Sequence, residues 1–133
     1  MNILDSKTFA RVMYFKFFMV IVIWGLTPLL IPVALLPFLG FHFTTTGVLL
    51  LRVWGIIVLL DTFLYYYIFK NPHKKLSKYL LLFSIADNGG IGMLLLVLTP
   101  IFHFPWGVWA NIPFQLFFGY YFLQFYKKGT FSS

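Results

Sequence analysis

The chain has no cysteine and no glutamate, and its acidic residues are three aspartates, Asp5, Asp61 and Asp87. Without thiols it can form no disulfide, no thiolate metal site and no cysteine nucleophile. Charged residues fill only 10% of the 133 positions, whereas a soluble domain carries about a quarter. Also missing are a nucleophile–base constellation, a phosphate-binding glycine loop and a paired-carboxylate motif. Catalysis is therefore not expected, and no cofactor is predicted. There is no internal repeat, heptad or low-complexity segment.

What is present is apolar surface. Hydrophobic residues make up 61% of the chain and aromatic ones 23%, more than a water-soluble fold of this size could hide. Lipid is the expected solvent. A helical span needs about 20 apolar residues, so the length allows roughly four spans and no soluble domain. The apolar runs place them at about 11–31, 46–69, 76–98 and 106–126. The apolar run from Val12 to Leu39 is too long for a signal-peptide core, and no small-x-small cleavage site follows it. It reads as a retained first span. Asp5 and Ser6 are suited to cap its helix, and Pro28 and Pro32 to kink or end it. Val33 to Phe43, with Pro37 and Gly40, suits a short interfacial or re-entrant piece. The third span should stop at Thr99 and Pro100, with a turn from Ile101 to Pro105.

The net charge of +7 is distributed unevenly. Lys7, Arg11 and Lys16 precede or open the first span. Lys70, Lys74, Lys75 and Lys78 fill the second loop, and Lys127 and Lys128 close the chain. The first and third loops have no lysine or arginine. Basic short loops stay cytoplasmic, so both termini are expected inside a bacterial cytoplasmic (inner) membrane. Anionic headgroups at the cytoplasmic face explain the lysines better than nucleic acid does. Trp24, Trp54, Trp106 and Trp109, with Tyr65, Tyr66, Tyr67, Tyr120, Tyr121 and Tyr126, fall mostly near span ends, where aromatic belts sit.

Few residues within the spans could carry chemistry. Arg52 is the one basic residue this reading places inside a span, where it must snorkel, pair or bind something. Asp61 is nine residues further on the same helix, about half a turn out of phase, so the two cannot pair within it. Asp87 lies near mid-span, the costliest depth for a carboxylate, and could meet Arg52 across the bundle or relay protons. Ser84, Asn88 and Gly92 recur every four residues, as do Gly107, Asn111, Gln115 and Gly119. Small and polar residues at this spacing let helices approach closely in lipid. Two readings share these faces: a packed bundle interior, and a polar substrate patch of Arg52, Asp87, Asn88, Asn111 and Gln115. His42 and His103 fall in the outer loops and make a weak metal or haem pair.

Leu49-Leu50-Leu51-Arg52-Val53-Trp54-Gly55 opens the second span. Tyr65-Tyr66-Tyr67, Asn71-Pro72 and a basic turn follow, with glycines inside the third span. This pattern resembles the small four-helix DoxX-like membrane proteins over roughly residues 12 to 126. The resemblance implies a four-span bundle, with some members linked to quinone or thiosulfate oxidation. Only Arg52 carries over, as a structural position.

The expected protein is thus an all-α, single-domain, four-helix transmembrane bundle with both termini inside. Its expected role is packing, as a self-associating protein or a subunit of a larger membrane complex. The alternatives are a small-molecule carrier and a quinone- or haem-linked redox subunit.

Overall fold

Asp5 opens the first helix as the sequence suggests: the Thr8 N–H donates to its side chain at 2.6 Å. In this computed structural model, which describes residues 5–131, that helix, α1, runs Ser6–Leu30. It is α-helical over Ser6–Phe18, π-wound over Met19–Leu26 and α-helical again over Thr27–Leu30. The wide turns have a local cause. Pro28 lacks the N–H for a bond to the Trp24 carbonyl, and its ring would crowd that carbonyl in a regular helix. The Thr27 hydroxyl helps by donating to the Val22 carbonyl at 2.7 Å. Pro32 follows the end of the helix.

A 3-10 helix, Val33–Leu39, comes next and ends at Gly40, whose φ of 82° only glycine adopts freely. Gly40 and Phe41 N–H groups return to the Pro37 and Leu36 carbonyls and close the turn. The second long helix, α2, is Thr45–Lys70, with Thr44 accepting from the Gly47 N–H at its start. Lys70 stands in its last turn, the favourable end for a cation.

The third helix, α3, spans Lys75–Phe102, with a second π-wound stretch at Ala86–Gly90. It does not stop at Thr99 and Pro100 as expected. Pro100 removes one donor but keeps a helical φ, so the helix runs on to His103, which ends it in the left-handed region at φ 52°. The fourth helix, α4, is Trp106–Lys128. Among the described residues there is no strand.

The chain divides into two compact units, Met1–Lys70 and Asn71–Ser133. Each is built around one pair of long helices, α1 with α2 and α3 with α4. In the first, Gly55 lies against the Gly25 carbonyl and the backbone of Leu29. Residues facing each other across this pair sum to a near-constant number (25 with 55, 16 with 65, 31 with 52), so the helices run antiparallel. In the second, Gly89 meets Gly119 and Gly92 meets Gln115 and Leu116, again an antiparallel register.

Three helices, α1, α2 and α3, are long and apolar enough to cross a membrane. At 1.5 Å per residue each exceeds the ~30 Å hydrocarbon thickness. The 23-residue α4 is long enough, but Asn111, Pro113, Gln115, Gln124 and its Trp and Tyr residues dilute its hydropathy, and it is not among the three.

Candidate functional site

Arg52 is explained by the proline that follows the first helix. In a continuous helix the N–H of residue 32 would bond the carbonyl of residue 28. Pro32 has no N–H, so that carbonyl is orphaned, and Ile31 turns out of the helix with ψ 128°. The part-buried Arg52 guanidinium fills both gaps, donating to Pro28 O at 2.7 Å and to Ile31 O at 2.6 Å. Its positive charge lies at the C-terminal end of α1, where the helix dipole favours it. These bonds are charge-assisted, and each is worth roughly 1.5–3 kcal/mol.

A second cation lies inside the same pair of helices. Lys16 is 1% exposed, with its ammonium 4.7 Å from the Trp24 ring centroid and 4.5 Å from that of Tyr65. The expectation of one basic residue inside a span is therefore corrected to two. A span beginning near Arg11 has Lys16 in its second turn; the helix begins at Ser6, close to the expected start, and Lys16 is the eleventh residue of it. A sequence signal existed: Trp24 stands eight residues on, two turns along the same face. Each ring offsets about 0.5–2 kcal/mol of the cost of burying the charge.

The aromatic residues expected mostly near span ends differ in burial. Trp24, Tyr65 and Tyr121 are buried, while Trp54, Trp106, Trp109, Tyr66 and Tyr120 are exposed. Asp61 is partly buried and stands within the arc of Val58, Tyr65 and Ile68, the side chains α2 buries.

The other unit uses neutral groups. Ser84 and Asn88 are fully buried, and each donates one turn back along its own helix, Ser84 Oγ to Leu80 O at 2.9 Å and Asn88 Nδ2 to Ser84 O at 2.8 Å. Asn111 Nδ2 does the same to Gly107 O at 2.7 Å. Such back-bonding often bends helices, and the Ser84–Asn88 pair leads into the π-wound stretch. Asp87 is partly buried beside it. Gln115 Oε1 and Thr99 Oγ1 are buried without a partner among the described residues. With Gly92 facing Gln115, Thr99 falls about two turns away along the pair, so these two atoms do not share one site.

The six candidate polar residues thus divide between the units: Arg52 and Asp61 in the first, and Asp87, Asn88, Asn111 and Gln115 in the second. His42 is exposed and lines an open cavity of about 290 Å³ with Val33, Leu36, Phe41, Phe43 and Thr44. His103 serves as the left-handed end of α3. Among the described residues no group of three or more His, Cys, Asp or Glu could hold a metal ion. The placed donors chiefly complete helix backbones, a structural rather than a reactive chemistry. Comparison with family models, with characterised proteins and with solved structures finds no match to this chain.

Proposed function

We propose that the chain is a small, non-enzymatic integral membrane protein of four spans that works by packing, with itself or as an accessory subunit of a larger membrane complex. One observation carries this reading. Arg52, Ser84, Asn88 and Asn111 each donate to backbone carbonyls of their own unit. A carrier would aim such groups at a substrate; a packing protein uses them to keep irregular helices intact in lipid. Native purification in mild detergent with mass spectrometry tests it. One stoichiometric companion, or a discrete homo-oligomer, is expected; a monomer that carries nothing would contradict it.

The fourth span is supported by the second unit. His73 Nδ1 lies 3.0 Å from Thr130 O, and the Lys78 ammonium lies over the Tyr126 and Phe131 rings. The end of α4 therefore returns to the beginning of α3, as a second crossing requires. With eight of ten basic residues at the termini and second loop, and only Lys16 and Arg52 within the first helix pair, both termini face the cytoplasm, and the lysines meet anionic headgroups. The absence of native cysteine makes single-cysteine labelling a clean test. Lys74→Cys and Thr130→Cys should react only from inside, and Thr45→Cys only from outside. Labelling of Thr130→Cys from outside would remove the fourth span. The cytoplasmic membrane of a bacterium and a DoxX-like kinship belong to the same proposal, the latter resting on Leu49–Gly55 and Tyr65–Tyr67.

A second reading, a small-molecule binder, is favoured by Gln115 Oε1, an acceptor buried without a partner among the described residues. Uptake into proteoliposomes that falls on Gln115→Leu would raise it above the first.

A further inference from the structure

We infer that Lys16 and Asp61 form an ion pair buried between α1 and α2, a latch that ties the two helices of the first unit together within the apolar segment. The Lys16 ammonium lies 4.5 Å from the Tyr65 ring centroid and 4.7 Å from that of Trp24, and the residue is 1% exposed. These two rings fix its height. The register that sets Gly25 against Gly55 sets Trp24 level with Ile56, whereas Tyr65 stands nine residues further along α2. A group in contact with both rings lies between those levels, which are about 13 Å apart. Asp61 stands midway. It is also on the right face. α2 buries Gly55, Val58, Tyr65 and Ile68, and the steps of three and four that join them leave one gap, at residues 61 and 62. Asp61 is partly buried there, and the neighbouring Thr62 hydroxyl is buried. Asp61 precedes Tyr65 by four residues, so the carboxylate and the ring follow one another on one face and meet the same ammonium.

The other charges of this unit do not compete. Asp5 caps α1 eleven residues before Lys16, about 16 Å along the helix. Arg52 and Lys70 each stand nine residues from Asp61, half a turn out of phase, and Arg52 is bonded to Pro28 O and Ile31 O. In the same register Lys7 and Arg11 are level with Lys70 or beyond it. Asp61 makes a hydrogen-bonding or electrostatic contact, and Lys16 is the cation at its level. Rings attract an ammonium without cancelling its charge, whereas a carboxylate cancels it. Either helix alone would carry an uncompensated charge into the hydrocarbon, and the pair removes both at once. The latch deepens the packing reading, on which it rests only for the lipid around it: α1 and α2 become one unit with a neutral core.

A double-mutant cycle in thermal unfolding of the detergent-solubilised full chain tests the latch. Lys16→Met, whose thioether suits the two rings, and Asp61→Asn should each lower the midpoint by about 10 °C, because each leaves one buried charge unpaired. The double variant should fall by less than either single one. Losses that simply add would overturn the inference. Since a single neutralised partner can leave the chain unfolded, a second measurement changes neither residue. The chain has no glutamate, so in the Asp5→Asn, Asp87→Asn variant the Asp61 side chain is the only carboxyl besides the C-terminus. With aspartate labelled by carbon-13 at its side-chain carboxyl, the infrared spectrum at neutral pH should show an ionised carboxylate band. A carboxylic acid band in its place would mean that Asp61 holds a proton, and would overturn the ion pair. Failure of the packing reading shows elsewhere, as a monomer that carries nothing in native mass spectra, and leaves both measurements of the pair in force.

Discussion

The two units meet one problem, a helix whose winding is broken inside an apolar segment, with opposite chemistry. In the first, prolines cause the break and one cation mends it. Pro28 follows the π-wound stretch, Pro32 ends α1, and Arg52 reaches from α2 to close the orphaned carbonyls. In the second, the break falls in a glycine-rich stretch, and neutral Ser84 and Asn88 ahead of and within it donate one turn back along the same helix. The first repair is between helices and therefore also joins them. The second is within one helix, in a pair whose helices approach closely at glycines.

The largest expected effect breaks the glycine side of this contrast. A Cβ at Gly119 would overlap the backbone of Gly89, which cannot move aside as a flexible side chain would. Gly119→Leu should cost at least ~3 kcal/mol of stability in detergent unfolding, the upper end for overpacking. Gly89→Ala, whose Cβ would stand 3.5 Å from Gly119 Cα, should change stability by less than ~1 kcal/mol, and Gly90→Ala, with open space around it, should be neutral or gain that much. Equal losses at all three would mean that the pair does not close at Gly119.

Next comes the aromatic seat of Lys16. Tyr65→Leu removes one of its two rings and should lower stability by about 2 kcal/mol. An unchanged unfolding midpoint would take Lys16 out of the account. A smaller effect is expected at Asn88, where Ala deletes a buried donor to the Ser84 carbonyl. A loss of about 1 kcal/mol is predicted, with faster amide exchange limited to residues 84–90.

The smallest effect is at the start of α1. The Thr8 amide bonds the Asp5 carboxylate and holds its pKa below the ordinary value. Because the folded pKa is the lower one, the contribution of the cap is complete above the unfolded pKa and is lost as pH falls through the folded value. The Thr8 amide resonance should therefore titrate in acid with a midpoint below the usual carboxylate value of about 4. In Asp5→Asn, which can still cap, that titration should disappear; a persisting one would point to another group.

Much of the helix pattern was legible because its causes are local. Apolar runs, the Asp5 cap and the Lys-rich second loop place the long helices within a few residues. What the sequence hid depends on partners distant in the chain. Arg52 stands out as a charge in an apolar run, but that Pro32 creates its partner is apparent only once α1 and α2 are antiparallel. Lys16 groups with the terminal basic residues in sequence because its burial depends on Tyr65, a residue of the next long helix. Tyr65 and Trp24 looked like belt aromatics because an interior ring and an interfacial one have the same sequence signal. The likeness of the two units, each with a π-wound stretch and a glycine contact, leaves no sequence repeat, since proline in one and glycine in the other produce it.

The central claim is that Arg52 stands in for the N–H that Pro32 lacks. A double-mutant cycle of Arg52→Gln and Pro32→Ala, read by unfolding of the detergent-solubilised protein, tests it most directly. Arg52→Gln alone should cost about 2–3 kcal/mol, from two charge-assisted hydrogen bonds. In the Pro32→Ala background, where residue 32 can bond the Pro28 carbonyl itself, the same substitution should cost less by at least ~1 kcal/mol. An identical cost in both backgrounds would contradict the account.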